Sequence, residues 1–261
     1  MSELHGVALN LPTGVFAPQP RRASRLRMAL AQGRVEASLM LRHPEQLLLS
    51  LIIPIAALIA VAKVPALSAD HTLDTAFPMV LSIAAASSGL TGQAISVAFD
   101  RRYGALKRAG ASGVSASTII AGKIFAVLVM ALVQVVVLSA CAFLLGWRTT
   151  LLGVALATLV LLAGIAACTA LGLLIGGSLS SEIVLGLANL VWLVLSGALG
   201  YVFLTGGLAS PGWSILIPTV ALGAGLHDAF QHTIPWQSLL VLAGWCALGG
   251  IAATRLFRFE S

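Results

Sequence analysis

Five ionisable side chains fall within nine positions, Asp100, Arg101, Arg102, Lys107 and Arg108, in a chain of which only 9% is charged. With Tyr103, Gly104 and Leu106 among them, they combine an aromatic knob, an aliphatic knob and a cationic edge. That is the chemistry of a docking surface for a soluble partner. Coiled as a short helix at ~1.5 Å per residue, 100–110 would be about 15 Å long, too short to cross a membrane, and so lies on its surface. At 100° per residue Tyr103, Leu106 and Gly110 share one face of it, with Arg101 and Arg108 on the other.

Other chemistries find less support. A phosphate-cradling loop needs Gly-x-x-x-x-Gly-Lys-Ser/Thr, and the only Gly-Lys, Gly122-Lys123, has Ser117 at the first glycine position and Ile124 after the lysine, so no ATP hydrolysis is assigned to this chain. Gly110-Ala111-Ser112-Gly113 resembles the serine motif of rhomboid proteases, which makes an intramembrane serine protease one alternative. Such a serine needs a base within reach, and His227 and His232 are expected on the opposite side of the membrane. His227, Asp228 and His232 lack a fourth ligand and a zinc-type spacing, so no metal site is expected. Cys141, Cys168 and Cys246 stand singly in apolar runs and read as small buried hydrophobes. A non-catalytic membrane scaffold is the other alternative.

The elements that must position the 100–110 loop are membrane helices. Mean hydropathy is +1.00 and 59% of residues are hydrophobic, far from soluble usage. Backbone polar groups have no partners in lipid, so the fold class is an all-α integral membrane protein. Six apolar runs of about the ~20 residues needed to span fall near 45–62, 77–98, 115–145, 150–176, 183–204 and 235–256. The third and fourth exceed one crossing and should tilt or project. Pro54 removes a backbone donor within the first. Residues 1–24 read as a disordered cytoplasmic tail that stays in the mature protein, because its arginines and late first apolar run do not make a signal peptide. One membrane domain, 25–261, follows. Its first part, 25–43, places Leu26, Leu30, Gly33, Ala37 and Met40 or Leu41 at helical spacing with Arg27 and Arg34 turned away, the pattern of an interfacial amphipathic helix. Pro44 ends that helix by disfavouring helical geometry at His43.

Orientation follows from the cations. Arg21, Arg22, Arg25, Arg27, Arg34 and Arg42 precede the first span, four more lie between the second and third, and Arg255 and Arg258 end the chain. The other set of loops carries Lys63 and Arg148 with Asp70, Asp74 and Asp228. Both termini are therefore expected in the cytoplasm. The net charge of +6 suits anionic headgroups, and without aromatic stacking platforms beside the cations it does not indicate nucleic acid.

Inside the apolar runs, Ser87, Ser88, Thr91, Gln93, Gln134 and Asn189 need hydrogen-bond partners. They are candidates for lining a translocation path, or else join helices. The small residues of 82–92 would let backbones approach closely, as a dimer seam or a pore wall, and Gly172 and Gly176 form a small-xxx-small pair. Residues 205–234 hold apolar stretches too short to span, admissible at membrane depth only if buried in protein or lining a cavity.

Asp100-Arg101, Gly104, Leu106, Ala109-Gly110 and Gly122-Lys123 resemble the loop between the second and third helices of ABC-2 type transporter permeases, read as Glu/Asp-Arg-x-x-Gly-x-Leu followed by Gly-Lys. Asn189, Ser196-Gly197, Pro211-Gly212-Trp213 and Ile217-Pro218 resemble that family's fifth helix and the segment after it, and Leu41-Arg42-His43-Pro44 its approach to helix one. Ala111-Ser112 stands where Thr-Pro is usual, and Ile217 where Asn is usual.

The resemblance implies six transmembrane helices, a cytoplasmic coupling helix between helices 2 and 3, and a re-entrant extracellular segment between helices 5 and 6. It implies that Asp100, Arg101, Arg102, Tyr103, Gly104, Leu106, Lys107 and Arg108 contact a separate ABC ATPase subunit, which alone binds ATP and Mg. It further implies a second permease copy or paralogue, a bacterial inner membrane, and export of a hydrophobic or amphipathic substrate such as a drug, antibiotic or lipid, with antibiotic resistance as one branch. An Arg101→Glu, Tyr103→Ala variant is then expected to uncouple hydrolysis from transport.

Overall fold

The computed structural model describes residues 23–42, 44–64, 72–111, 115–205 and 207–256, and among these every regular element is helical. The expectations for residues 1–22, His43, Asp70, Ser112 and Arg258 lie outside them.

Helix α1 (Arg25–Leu41) starts where the Ser24 hydroxyl accepts the Arg27 N–H at 3.3 Å, and α2 (Pro44–Lys63) opens on proline, whose missing N–H is no loss at a first helical position. The second apolar run becomes three pieces in one rod: α3 (Leu73–Ala86), a π-helical turn (Ser87–Gly92) and α4 (Gln93–Arg102). A short α5 (Ala105–Ala111) follows. Helices α6 (Ala116–Leu144) and α7 (Leu151–Ser178) begin at Ser115 and Thr150, whose hydroxyls accept the Thr118 and Gly153 N–H groups. Helices α8 (Ser181–Leu204), α9 (Pro218–Phe230) and α10 (Trp236–Leu256) complete the chain, with two 3-10 turns between α8 and α9.

Among the described residues five helices are long and apolar enough to cross a membrane: the rod Leu73–Arg102, Thr118–Leu144, Leu151–Ser178, Ser181–Leu204 and Trp236–Leu256. Helix α2 contributes the shorter apolar stretch Ser50–Lys63. The rod is central, with 78% of its apolar window buried against 17% for α10. Its small residues explain this. A Cβ on Gly89 would come within 2.9 Å of Cys168 Cβ, and one on Gly172 within 2.6 Å of the Leu90 carbonyl oxygen. Gly89 and Leu90 of the 82–92 run thus close on Gly172 within one chain, with Gly176 against Ala94 just beyond, so that face of the run is covered by α7 and is not an open dimer seam.

Residues 207–217 run back along the bundle. The Trp245 indole donates to the Leu216 carbonyl at 2.8 Å, and the Thr219 hydroxyl to the Leu195 carbonyl at 2.6 Å. Trp245 and Leu195 each lie nine residues inside their helices from Trp236 and Leu204, so the chain turns ~13 Å below that rim. Helix α9 then returns outward, its 218–226 residues all buried. Non-helical backbone at that depth survives because its polar groups find partners in the protein: the Ser214 and Ile217 N–H groups donate to the Pro211 and Ser214 carbonyls, and the Leu216 carbonyl accepts from Trp245.

Candidate functional site

Helix α4 carries the charged loop, and its inner face is fastened before the loop begins. Ser96 and Asp100, one turn apart, both meet the Lys123 ammonium of α6, Ser96 at 3.0 Å, and Glu36 of α1 reaches it at 3.3 and 3.4 Å. The Lys123 side chain is 4% exposed. This convergence is possible because α1 and α6 touch through glycines: a Cβ on Gly122 would stand 2.6 Å from Gln32, and one on Gly33 2.5 Å from Phe125.

One residue further round α4, Arg101 is buried and donates to the carbonyls of Gly176 at 3.0 Å and Leu179 at 2.8 Å. It caps the carboxyl end of α7, where the last carbonyls lack helical partners and the helix dipole is negative. Arg102 donates to Glu182 at 2.6 Å and to the Ser181 hydroxyl at 3.2 Å, at the start of α8. The two arginines grip both sides of the α7–α8 turn.

These contacts correct two expectations. Residues 100–110 are not one helix: α4 ends at Arg102, Gly104 takes a φ of +67°, and α5 starts afresh at Ala105. Glycine suits that left-handed position, which other residues adopt at a cost. Nor is Arg101 part of an exposed cationic edge, since its guanidinium is spent inside the bundle. What projects is Tyr103, 65% exposed and stacked on Phe99 at 6.0 Å, with Lys107 and Arg108 exposed and Leu106 half-buried. Arg108 donates back to the Tyr103 carbonyl at 2.8 Å and closes the turn.

The six polar membrane residues divide. Ser87, Thr91 and Asn189 line a cleft of about 410 Å³ between α2, the π turn and α8, together with Ser50, Pro54 and Trp192. The Thr91 hydroxyl donates to the Ala188 carbonyl at 3.4 Å, and Asn189 to Leu185 within its own helix at 2.7 Å. Ser88 bonds back to the Ala84 carbonyl at 3.2 Å, and Gln93 and Gln134 are buried away from the cleft, Gln134 with neither amide atom hydrogen-bonded. The cleft therefore lies beside the π turn of the central rod, an irregularity that recurs at functional sites in helices.

At the opposite end, the His232 ring meets the Thr150 hydroxyl, and His227 lies 3.6 Å from Asp228. Among the described residues no group of His, Cys, Asp and Glu could hold a metal ion. Both histidines stand at the other end of the bundle from Ala111, the residue before Ser112.

Glu36, Ser96, Ser181 and Glu182 were not singled out from the sequence. Glu36 had a signal: it is the one carboxylate in 25–43, on the same side of the helix as Gly33 and Ala37.

A buried helical rod, spanning neighbours and a charge-fastened loop at one end define a multi-pass helical membrane protein. A family model described as ABC-2 family transporter protein matches residues 36–256, so the chain belongs to the ABC-2 family, the membrane component of a transporter. Comparisons with curated proteins and with solved structures give no match.

Proposed function

We propose that this chain is the permease subunit of an ATP-binding cassette exporter, with both termini cytoplasmic, α2 as a sixth span, and the 102–111 segment as the contact for a separate ATPase. The observation that carries the reading is the mounting of Tyr103. An aromatic side chain exposed in a polar loop stands directly after Asp100, Arg101 and Arg102, whose side chains reach α6, α7 and α8, with Lys123 of α6 in turn meeting Glu36 of α1. A partner that moved Tyr103 would move the inner ends of four other helices.

The cleft at Ser87, Thr91 and Asn189 is the substrate path in this reading. Its surroundings are apolar, with hydroxyls, one amide and, among the described residues, no ionisable side chain, which suits an uncharged, hydrophobic or amphipathic cargo. Drugs, antibiotics and lipids share that chemistry. A second copy or paralogue would complete the path, in a bacterial inner membrane, with ATP and Mg bound by the partner.

The test is co-purification in mild detergent with mass spectrometry, comparing wild type with Tyr103→Ala combined with Lys107→Glu. Arg101 is left intact because it caps α7. An ABC ATPase retained by wild type and lost from a variant of unchanged yield and elution volume is the expected result. Equal retention by both would overturn the docking assignment.

A further inference from the structure

Lys123 is surrounded by more acceptors than one ammonium can satisfy. Its three N–H donors face four oxygens: one from Asp100, one from Ser96 and both carboxylate oxygens of Glu36. Asp100 is the closest, while Glu36 keeps a second donor of its own, the Gln32 amide at 3.1 Å. The two acids belong to different elements, α4 and α1.

A single buried acid would bind the lysine and make separation costly, because it would strand a cation away from water. A second acid removes that penalty. If α4 draws Asp100 away, Lys123 is still neutralised by Glu36, and when α4 returns the ammonium can move back. The cluster therefore has two arrangements in which the lysine is paired, which is the requirement for a discrete switch.

We propose that Lys123 is a positioning residue that passes between Asp100 and Glu36 as the loop moves, so that Glu36, on a helix outside the loop, permits the loop's displacement. This rests on the reading of 102–111 as the ATPase contact. Removing Glu36 should hold the loop in place, whereas removing Lys123 should set it free. A contact that only stabilised the fold would loosen the loop in both cases.

The experiment is pulsed electron spin resonance on the complex with its co-purified ATPase in lipid nanodiscs, with Cys141, Cys168 and Cys246 replaced by alanine. Nitroxides at Ala111 and Thr254 report the loop against α10, without nucleotide and after trapping with ATP and vanadate. In the wild-type background the distance should change by ~2 Å or more. Glu36→Gln should abolish that change and Glu36→Asp restore it, while Lys123→Gln should give the trapped distance without nucleotide. Glu36→Gln decides the matter even where Lys123→Gln does not assemble. A nucleotide-driven change of wild-type size in Glu36→Gln would overturn the exchange and leave the docking loop standing. No change in the wild-type background, with the ATPase bound, would overturn both.

Discussion

The two ends of this bundle are held by different physics. At the basic end charged groups reach from helix to helix: Lys123 to Asp100 and Glu36, Arg101 to the Gly176 and Leu179 carbonyls, and Arg102 to Glu182. At the opposite end Phe77, Phe143, Trp147 and Phe230 pack in one aromatic cluster, with Phe77–Trp147 centroids at 4.4 Å and Trp147–Phe230 at 4.9 Å. Charged contacts are directional and nearly all-or-none, whereas aromatic area adds up gradually. The basic end can therefore change state when one bond exchanges. The aromatic end cannot, and it serves as the fixed rim beneath which α9 and its irregular lead-in are packed.

The largest effect should come from Lys123→Met. It leaves Glu36 and Asp100, 14% and 29% exposed, facing each other with no cation between them; breaking a fully buried pair from one side costs about 3 to 5 kcal/mol, and the partial exposure of these acids puts the loss at the lower end, about 3 kcal/mol. A lower thermal midpoint in detergent, or loss of the monodisperse peak on size-exclusion chromatography, is expected. Glu36→Gln should cost much less, since Asp100 still pairs with the lysine. If the two variants proved equally stable, the contrast between the ends would fail on its charged side.

Trp147→Ala comes next. It empties the centre of the aromatic cluster, where Trp147 is 4% exposed. In water-soluble cores such truncations cost about 3 to 5 kcal/mol. Here the neighbours are apolar in any case, so mainly lost packing remains and about 2 kcal/mol is expected. The thermal midpoint should fall by less than for Lys123→Met, and the Ala111–Thr254 distance change should persist, because the rim stays out of the exchange at the other end.

The sequence carried the helices well and their phases poorly. Apolar runs expected at 45–62, 150–176, 183–204 and 235–256 appear as Pro44–Lys63, Leu151–Ser178, Ser181–Leu204 and Trp236–Leu256, because hydropathy over about twenty residues is a local property. A helix expected within 25–43 likewise appears as Arg25–Leu41. Nothing in Ser87–Gly92 announces a π turn, which disturbs the regular helical phase on which a 100° wheel relies. Arg101 and Arg102 are the same residue type in adjacent positions, and which is buried depends on that phase and on where α7 ends. The pairing of Glu36 with Lys123 spans 87 positions and needs the glycine contact between α1 and α6 before it can be seen. The cleft brought together only Ser87, Thr91 and Asn189 because the other three polar side chains point into packed helix contacts.

The smallest effect should come from Trp245→Phe, and it tests the aromatic end most sharply. The substitution keeps an aromatic side chain, smaller by one ring, and removes the indole N–H that satisfies the Leu216 carbonyl, about 13 Å below the rim. A single hydrogen bond between membrane helices is worth ~0.6 kcal/mol on average and at most about 1.7. With 1.4 kcal/mol equal to a tenfold ratio, local opening of the 207–217 segment should rise by roughly threefold. Maleimide labelling at Ser214→Cys, with the native cysteines replaced, reads that opening, and the global thermal midpoint should barely move. A loss of stability as large as that of Lys123→Met would mean that the rim also hangs on one directional bond, and the two ends would then differ in residue type but not in kind.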